Sequence, residues 1–273
     1  MLDIENVHKT FHAGTAHQVR ALQGLSVHID EGSFTVVIGT NGSGKSTLLN
    51  AVAGTFFVDT GQVRIDGQDV TRWPECRRAS LLGRVFQNPF SGTAPNLSIA
   101  ENLALASRRG ARRGLGPVIS ARLRRRMGEV VSQLKMGLED RLDTPIGTLS
   151  GGQRQALTLL MATWQKPRLL LLDEHTAALD PKSAEQVVAL SEQVISRDRL
   201  TTVMVTHSMQ QAATLGDRLL MMHHGKVLLS LDGAQKKRVR PEELLARFED
   251  VRRSDLLDES AAEMLARCYV YGL

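Results

Sequence analysis

The chain has 273 residues, enough for one large α/β domain or two small ones, and its 42% hydrophobic and 23% charged residues are those of an ordinary globular protein. No run approaches the roughly 18–20 uncharged apolar residues of a membrane-spanning helix, and MLDIENVHKTF at the start lacks an apolar signal core, so any membrane role is expected to run through a partner. A net charge of +5 is modest, and two cysteines, Cys76 and Cys268, make neither a disulfide framework nor a metal cluster and fit a reducing cytoplasm.

In chain order, Leu2, Ile4 and Val7, then Leu25, Val27 and Ile29, alternate as short strands with a loop between them. Phe34–Gly39 (FTVVIG) is an apolar, β-branched run that stops at glycine, the pattern of a buried strand. A glycine-rich turn leads into a predicted helix over Lys45–Gly54, with Leu48, Leu49 and Val52 on one side. Val63–Asp66 and Gly83–Gln87 read as further strands. From Asn88 to Lys166 the strand signal gives way to helices near Ile99–Ser107, Ser120–Met136 and Gly151–Lys166, with a Gly/Pro-punctuated loop around Arg108–Pro117.

Eight arginines and no acidic residue lie between Arg108 and Arg126. Such a run suits nucleic acid, lipid headgroups or an acidic partner, or else a solvated helix face. Strand and helix then alternate: Leu169–Leu172, a helix over Pro181–Ser196, a strand over Thr202–Thr206, a helix over Ser208–Leu215, and strands over Leu219–Met222 and Lys226–Leu231. Two short helices are predicted beyond Pro241, about Glu242–Glu249 and Asp255–Arg267. The alternation implies a largely parallel sheet covered on both faces.

Gly39-Thr40-Asn41-Gly42-Ser43-Gly44-Lys45-Ser46 matches G-x-x-x-x-G-K-[ST] in full, between a predicted strand and a predicted helix. Glycines let the backbone curl so that N–H groups point at phosphate oxygens, and the helix start adds partial positive charge. Lys45 is expected at the β and γ phosphates, Ser46 at Mg²⁺ and Thr47 at the α phosphate. Leu169–Leu172 carries Asp173 and Glu174 out at a strand end, where Asp173 can hold Mg²⁺ and Glu174 can polarise a water as general base. The second carboxylate points to hydrolysis rather than transfer to a bound substrate. His207 and Gln87 each end a strand of the same predicted sheet, the first as a γ-phosphate contact, the second as a sensor of Mg²⁺ or water.

Leu149-Ser150-Gly151-Gly152-Gln153, between the phosphate loop and the Asp-Glu strand, resembles the signature of ABC ATPases. A serine-capped helix start with glycines for close packing is its plain structural meaning. The resemblance covers about residues 1–230. It implies an α/β fold, a P-loop NTPase core with a mainly parallel sheet, an N-terminal antiparallel β subdomain and an inserted α-helical subdomain. Residues 1–87 and 167–232 are then the nucleotide-binding core, 88–166 the helical subdomain carrying the signature, and 233–273 a C-terminal helical extension.

By the same resemblance Phe11 stacks on adenine, although His12–Arg20 looks inserted before the loop. Gly39, Asn41, Gly42, Ser43, Gly44, Lys45, Ser46 and Thr47 bind ATP, as do Ser150, Gly151, Gly152 and Gln153 of the signature and Asp180 of the D-loop. Gln87, Glu174 and His207 are the catalytic set, and Ser46, Gln87 and Asp173 the Mg²⁺ set. Implied partners are a second ATPase subunit, identical or not, in a head-to-tail dimer; transmembrane permease subunits, docked near Pro89, Phe90 and Pro95; and a separate solute-binding protein. The implied location is the cytoplasmic face of the cell membrane. His175 stands where many members carry proline, and DEHTAALDPKSA resembles a branch paired with branched-chain-amino-acid-type permeases and lipoprotein binding proteins, suspected importers of aromatic amino acids or related solutes. The competing expectation is a soluble ABC ATPase acting on nucleic acid or the ribosome, supported by the arginine run alone.

Overall fold

The computed structural model describes residues 1–110, 119–250 and 253. Alternating apolar residues build a four-stranded antiparallel sheet from β1 (Leu2–Phe11), β2 (Val19–Ile29), β4 (Thr60–Ile65) and β5 (Gln68–Asp69), in the order β2-β1-β4-β5. Leu2 sits opposite Ile29 and Ile65, and Ile4 opposite Val27 and Val63, so one face is a continuous apolar stripe. The strand expected at Leu25 begins at Val19. Its first residues pair with the end of β1, Phe11 facing Val19, and the His12–Gln18 tip is closed by Thr15 N–H donating to His12 O and Gly14 N–H to Gln18 Oε1. Val19 and Arg20 are exposed and carry no alternation signal.

The second sheet has the order β10-β9-β3-β8-β7-β6. β3 (Phe34–Gly39), β6 (Leu82–Val85), β7 (Leu169–Asp173), β8 (Thr201–Val205) and β9 (Arg218–His223) run parallel; β10 (Lys226–Asp232) adds an antiparallel edge. Val37, Leu169, Leu171, Val203 and Val205 face α1 (Lys45–Ala53) and the antiparallel sheet. Val36, Ile38, Leu170, Leu172 and Met204 face α5 (Gly151–Thr163), α6 (Pro181–Asp198) and α7 (Met209–Thr214). Burial on both faces is why these strands read as unbroken apolar runs.

A third core joins α3 (Ile99–Ser107), α4 (Ala121–Ser132) and α5 through Leu103, Met127 and Leu157. α5 also gives Leu159 and Ala162 to the sheet, so it is buried nearly all round and couples the helical layer to the strands. Two predicted helices end early: α4 stops at Ser132, with Lys135 at φ +54°, and α5 at Thr163, with Lys166 at φ +47°. β6 ends at Val85, opposite Leu172, so Gln87 lies two residues beyond the strand it was expected to end.

β5 and α2 (Glu75–Arg78) were not expected, being too short to show a period. α2 nonetheless buries Arg78, whose guanidinium donates to Ala51 O and Val52 O at the end of α1 and to Thr71 O and Trp73 O, at 2.7–3.1 Å. A cation on the last carbonyls of α1 suits the negative end of its dipole. After α8 (Gly233–Arg238), residues 241–250 are helical, near the expected Glu242–Glu249. The predicted helix Asp255–Arg267, Cys268, and Arg112 and Arg113 of the basic run lie outside the described residues.

Candidate nucleotide site

β3 ends at Gly39 because the chain is pressed there between β9 and its own turn. A Cβ at Gly39 would lie 2.3 Å from Met222 O and 2.6 Å from Ser43 Oγ. Gly44 has φ +97°, and a Cβ there would meet Ala21 O at 2.5 Å. The β9–β10 turn props the loop through Gly225 N–H donating to Ser43 O at 3.0 Å.

α1 then starts with no side-chain cap, whereas α3 to α7 are capped by Ser98, Ser120, Ser150, Asp180 and Ser208. Uncapped amides at a helix start form an anion site. Lys45 is buried, and its ammonium donates to Gly39 O and Thr40 O, each at 2.9 Å. Burial pushes its pKa down, while Glu174 and Asp173 pull it up. Asn41, Gly42 and Ser46 are exposed, Thr47 is half-buried, and the Ser43 hydroxyl is buried with no hydrogen-bond partner among the described residues.

Asp173 closes β7 opposite Val205, and Glu174 N–H donates to Val205 O at 3.0 Å. Thr206 N–H donates to Val37 O. Pairing of β3, β8 and β7 thus brings the Gly39 turn, His207 and the two carboxylates to one sheet edge. His207 Nε2 lies 2.5 Å from Glu174 Oε1. Glu174 has φ +45°, a left-handed conformation that costs an L-residue about 1–2 kcal/mol. Arg84 Nη2 lies 3.2 Å from Asp173 Oδ2 and 2.7 Å from Asn50 Oδ1.

Gln87 is exposed; beside it Phe86 O accepts from Gln155 Nε2 at 3.0 Å, tying this loop to α5. The lysine, the two carboxylates and the histidine can grip a phosphate, hold a divalent cation by oxygen and deprotonate a water.

The signature residues lie apart. Ser150 and Gln153 form a reciprocal capping box: Gln153 N–H donates to Ser150 Oγ at 3.2 Å, and Ser150 N–H to Gln153 Oε1 at 3.3 Å. A Cβ on Gly151 would meet Leu179 at 3.3 Å, and one on Gly152 would meet Ser183 at 2.7 Å, so both glycines serve packing against the start of α6. Asp180 caps α6, accepting from Ser183 N–H at 3.0 Å, and hydrogen bonding from the Ser183 side chain and then its backbone holds the carboxyl below the usual range. No hydrogen bond or ion pair among the described residues joins 150–153 to 39–47. Phe11 packs edge-on against Phe56 at 5.3 Å, with the Lys9 ammonium 5.2–5.5 Å from both rings.

Three residues in or beside these motifs were given no role by the sequence reading. Arg84 pairs with Asp173. Arg154 donates to Ile146 O, Gly147 O and Leu149 O and lies 3.8 Å over the Phe90 ring, so it shapes the approach to the signature. Gln155 bonds the Phe86 carbonyl. Arg154 and Gln155 directly follow the signature in sequence, which is the one signal they give.

The ABC transporter family model matches residues 22–177, more than half of the chain. The chain is 38% identical over 249 residues to a tyrosine transport ATP-binding protein of Clostridioides difficile, covering 91% of this chain and 99% of that protein. It is 35% identical over 228 residues to a phosphonates import ATP-binding protein of Thiobacillus denitrificans, covering 83% and 85%. Among solved structures it resembles a dimeric ATP-binding cassette in a post-hydrolysis state bound to ADP and Pi, with TM-score 0.73, 29% identity, and coverage of 85% of this chain and 98% of that one. A match over more than half the chain, with relatives aligned almost end to end, puts it in the ABC transporter family as an ATP-binding subunit, an ABC ATPase.

Proposed function

We propose that this subunit powers a multi-subunit importer of amino acids or similar small solutes. The observation that carries the catalytic assignment is the meeting of Lys45, Asp173, Glu174 and His207 at one sheet edge. Lys45 and the amides opening α1 grip the phosphates, aided by Gly39, Asn41, Gly42, Ser43, Gly44 and Thr47. Mg²⁺ is the divalent cation of the scheme. Asp173 and the exposed Ser46 hydroxyl are the oxygen ligands that suit it, with Gln87 reporting on it, and when bound it neutralises charge on the phosphates. Glu174 takes a proton from the attacking water, and His207 orients that carboxylate and faces the γ phosphate. Phe11 supports the adenine.

The separation of the signature from the phosphate loop supports a shared site. In a dimer of ATPase subunits, identical or not, Ser150, Gly151, Gly152, Gln153 and Asp180 of one copy face ATP held by the other. The core (1–87, 167–232) binds nucleotide, 88–166 carries its state outward, and 233–273 extends the chain. Phe90, 54% exposed beside Pro89, is our candidate contact for a permease at the cytoplasmic face of the membrane. Among the described residues no helix is long and apolar enough to cross a membrane. The tyrosine transport relative supports an amino-acid cargo; a separate binding protein is the proposed carrier that delivers it.

The test is purification of the full-length chain from detergent-solubilised membranes. A stoichiometric polytopic partner is expected, with ATP hydrolysis in proteoliposomes stimulated by an aromatic amino acid and its binding protein. Recovery with nucleic acid instead, in a salt-sensitive complex, would replace this reading.

A further inference from the structure

His175 follows Glu174 directly and is 1% exposed. Its Nε2 lies 3.0 Å from Ser191 Oγ on α6. Ser191 spends its own proton on Val187 O at 2.8 Å, which leaves its oxygen as an acceptor. The imidazole must therefore supply the donor, and the ring is the Nε2–H tautomer. Nδ1 is then a bare, buried lone pair with no hydrogen-bond partner among the described residues. Such a group is kept at a cost, and its presence calls for a reason.

The reason lies one residue back. Glu174 is held left-handed, and the turn after it closes by Ala177 N–H donating to Glu174 O at 2.9 Å and Leu179 N–H to Thr176 O at 3.2 Å. Ala177 and Ala178 are exposed and offer the turn no grip. Gln211 Nε2 reaches Thr176 Oγ1 at 3.2 Å from α7, a half-buried tether. His175 is the fully buried one, seated on α6, whose first turn also meets Gly152. A strained conformation persists only where its surroundings hold it.

We propose that His175 is a positioning residue: its Nε2–H bond to Ser191 anchors the left-handed turn on α6 and so aims the Glu174 carboxylate. The proposal rests on Glu174 being the general base. The phosphate loop sits between β3 and α1, and no hydrogen bond or ion pair among the described residues joins His175 to either, so losing the anchor should lower turnover and leave ATP affinity alone.

The test uses the full-length chain with ATP and Mg²⁺, in four variants: His175→Phe, which fills the site without a donor; His175→Gln, which restores one; the milder Ser191→Ala; and the double variant His175→Phe/Ser191→Ala. His175→Phe and Ser191→Ala are each expected to lower kcat about tenfold with ATP affinity unchanged. The double variant should do no worse than the poorer single, since both break one bond. His175→Gln should recover most of kcat. Amide hydrogen exchange over 174–180 should rise in His175→Phe and Ser191→Ala while that of 39–47 stays put.

Unchanged exchange over 174–180, additive losses, or ATP affinity falling together with kcat would each overturn the proposal. If Glu174→Gln kept full turnover, the general-base assignment would fail instead, and the exchange measurement would still judge the anchor by itself.

Discussion

Glu174 Oε1 and His207 Nε2 lie 2.5 Å apart, contributed by the loops after two adjacent parallel strands. A histidine from the neighbouring strand end thus steers the carboxylate that can work on water. We expect Glu174→Gln to bind ATP normally and to lose turnover by roughly 10²–10⁴, the usual contribution of a general base. Phosphate release under saturating ATP and Mg²⁺ decides it, and full turnover would mean that another group activates the water.

Ser150 opens α5, and no hydrogen bond or ion pair among the described residues joins it to the phosphate loop of its own chain. Ser150→Arg should abolish hydrolysis while each isolated subunit still binds ATP, because in the proposed dimer the arginine would obstruct only the surface turned to a second copy. Nucleotide titration alongside a dimerisation assay reads both effects. Loss of ATP binding by the monomer would contradict a shared site.

Arg84 and Asp173 are paired at 3.2 Å with side chains only 13% and 14% exposed. Arg84→Met leaves the mostly buried carboxylate without its paired guanidinium, a loss on the order of 1–3 kcal/mol in the nucleotide-free protein. A divalent cation held at Asp173, as proposed above, would restore the missing charge. Thermal unfolding should therefore show a larger drop in Tm without nucleotide than with ATP and Mg²⁺. Equal drops would show that guanidinium and cation do not exchange at this carboxylate.

His28 lies between Asp3 and Asp30 on the exposed side of the antiparallel sheet, and hydrogen bonds to both carboxylates raise its pKa above 6.5. A raised pKa means the folded chain holds the proton more tightly. The contribution is complete below pH 6.5 and fades as pH climbs through the folded value. The histidine side chain is 57% exposed, so screening keeps this within about 1 kcal/mol. The Tm gap between wild type and His28→Gln should be wider at pH 6 than at pH 9; a constant gap would remove titration from the explanation.

Local chemistry was readable from the chain alone. The α3 boundaries agree with the Ile99–Ser107 expected from the sequence, and in the structure a Ser98–Glu101 capping box fixes the start. The strands buried on both faces announced themselves as apolar runs. Boundaries failed where pairing or packing decides them, as at Val19, Val85 and Ser132. Arg84 and Arg154 were missed because a charge within a helix or strand pattern reads as a solvent-facing position, and Arg78 because its four-residue helix shows no period at all.

By itself the sequence determined the phosphate loop, the acidic strand end and the capped signature, since each needs only neighbours a few bonds away: glycines where φ is positive, a serine one turn before its amide. The tertiary structure alone decided that Asp173 meets an arginine 89 positions earlier, that Glu174 meets His207 across two strands, and that His175 is buried on Ser191. Those contacts depend on strand order and helix packing, which bring distant segments together through burial of apolar surface on both faces of the sheet. No local spacing encodes that outcome.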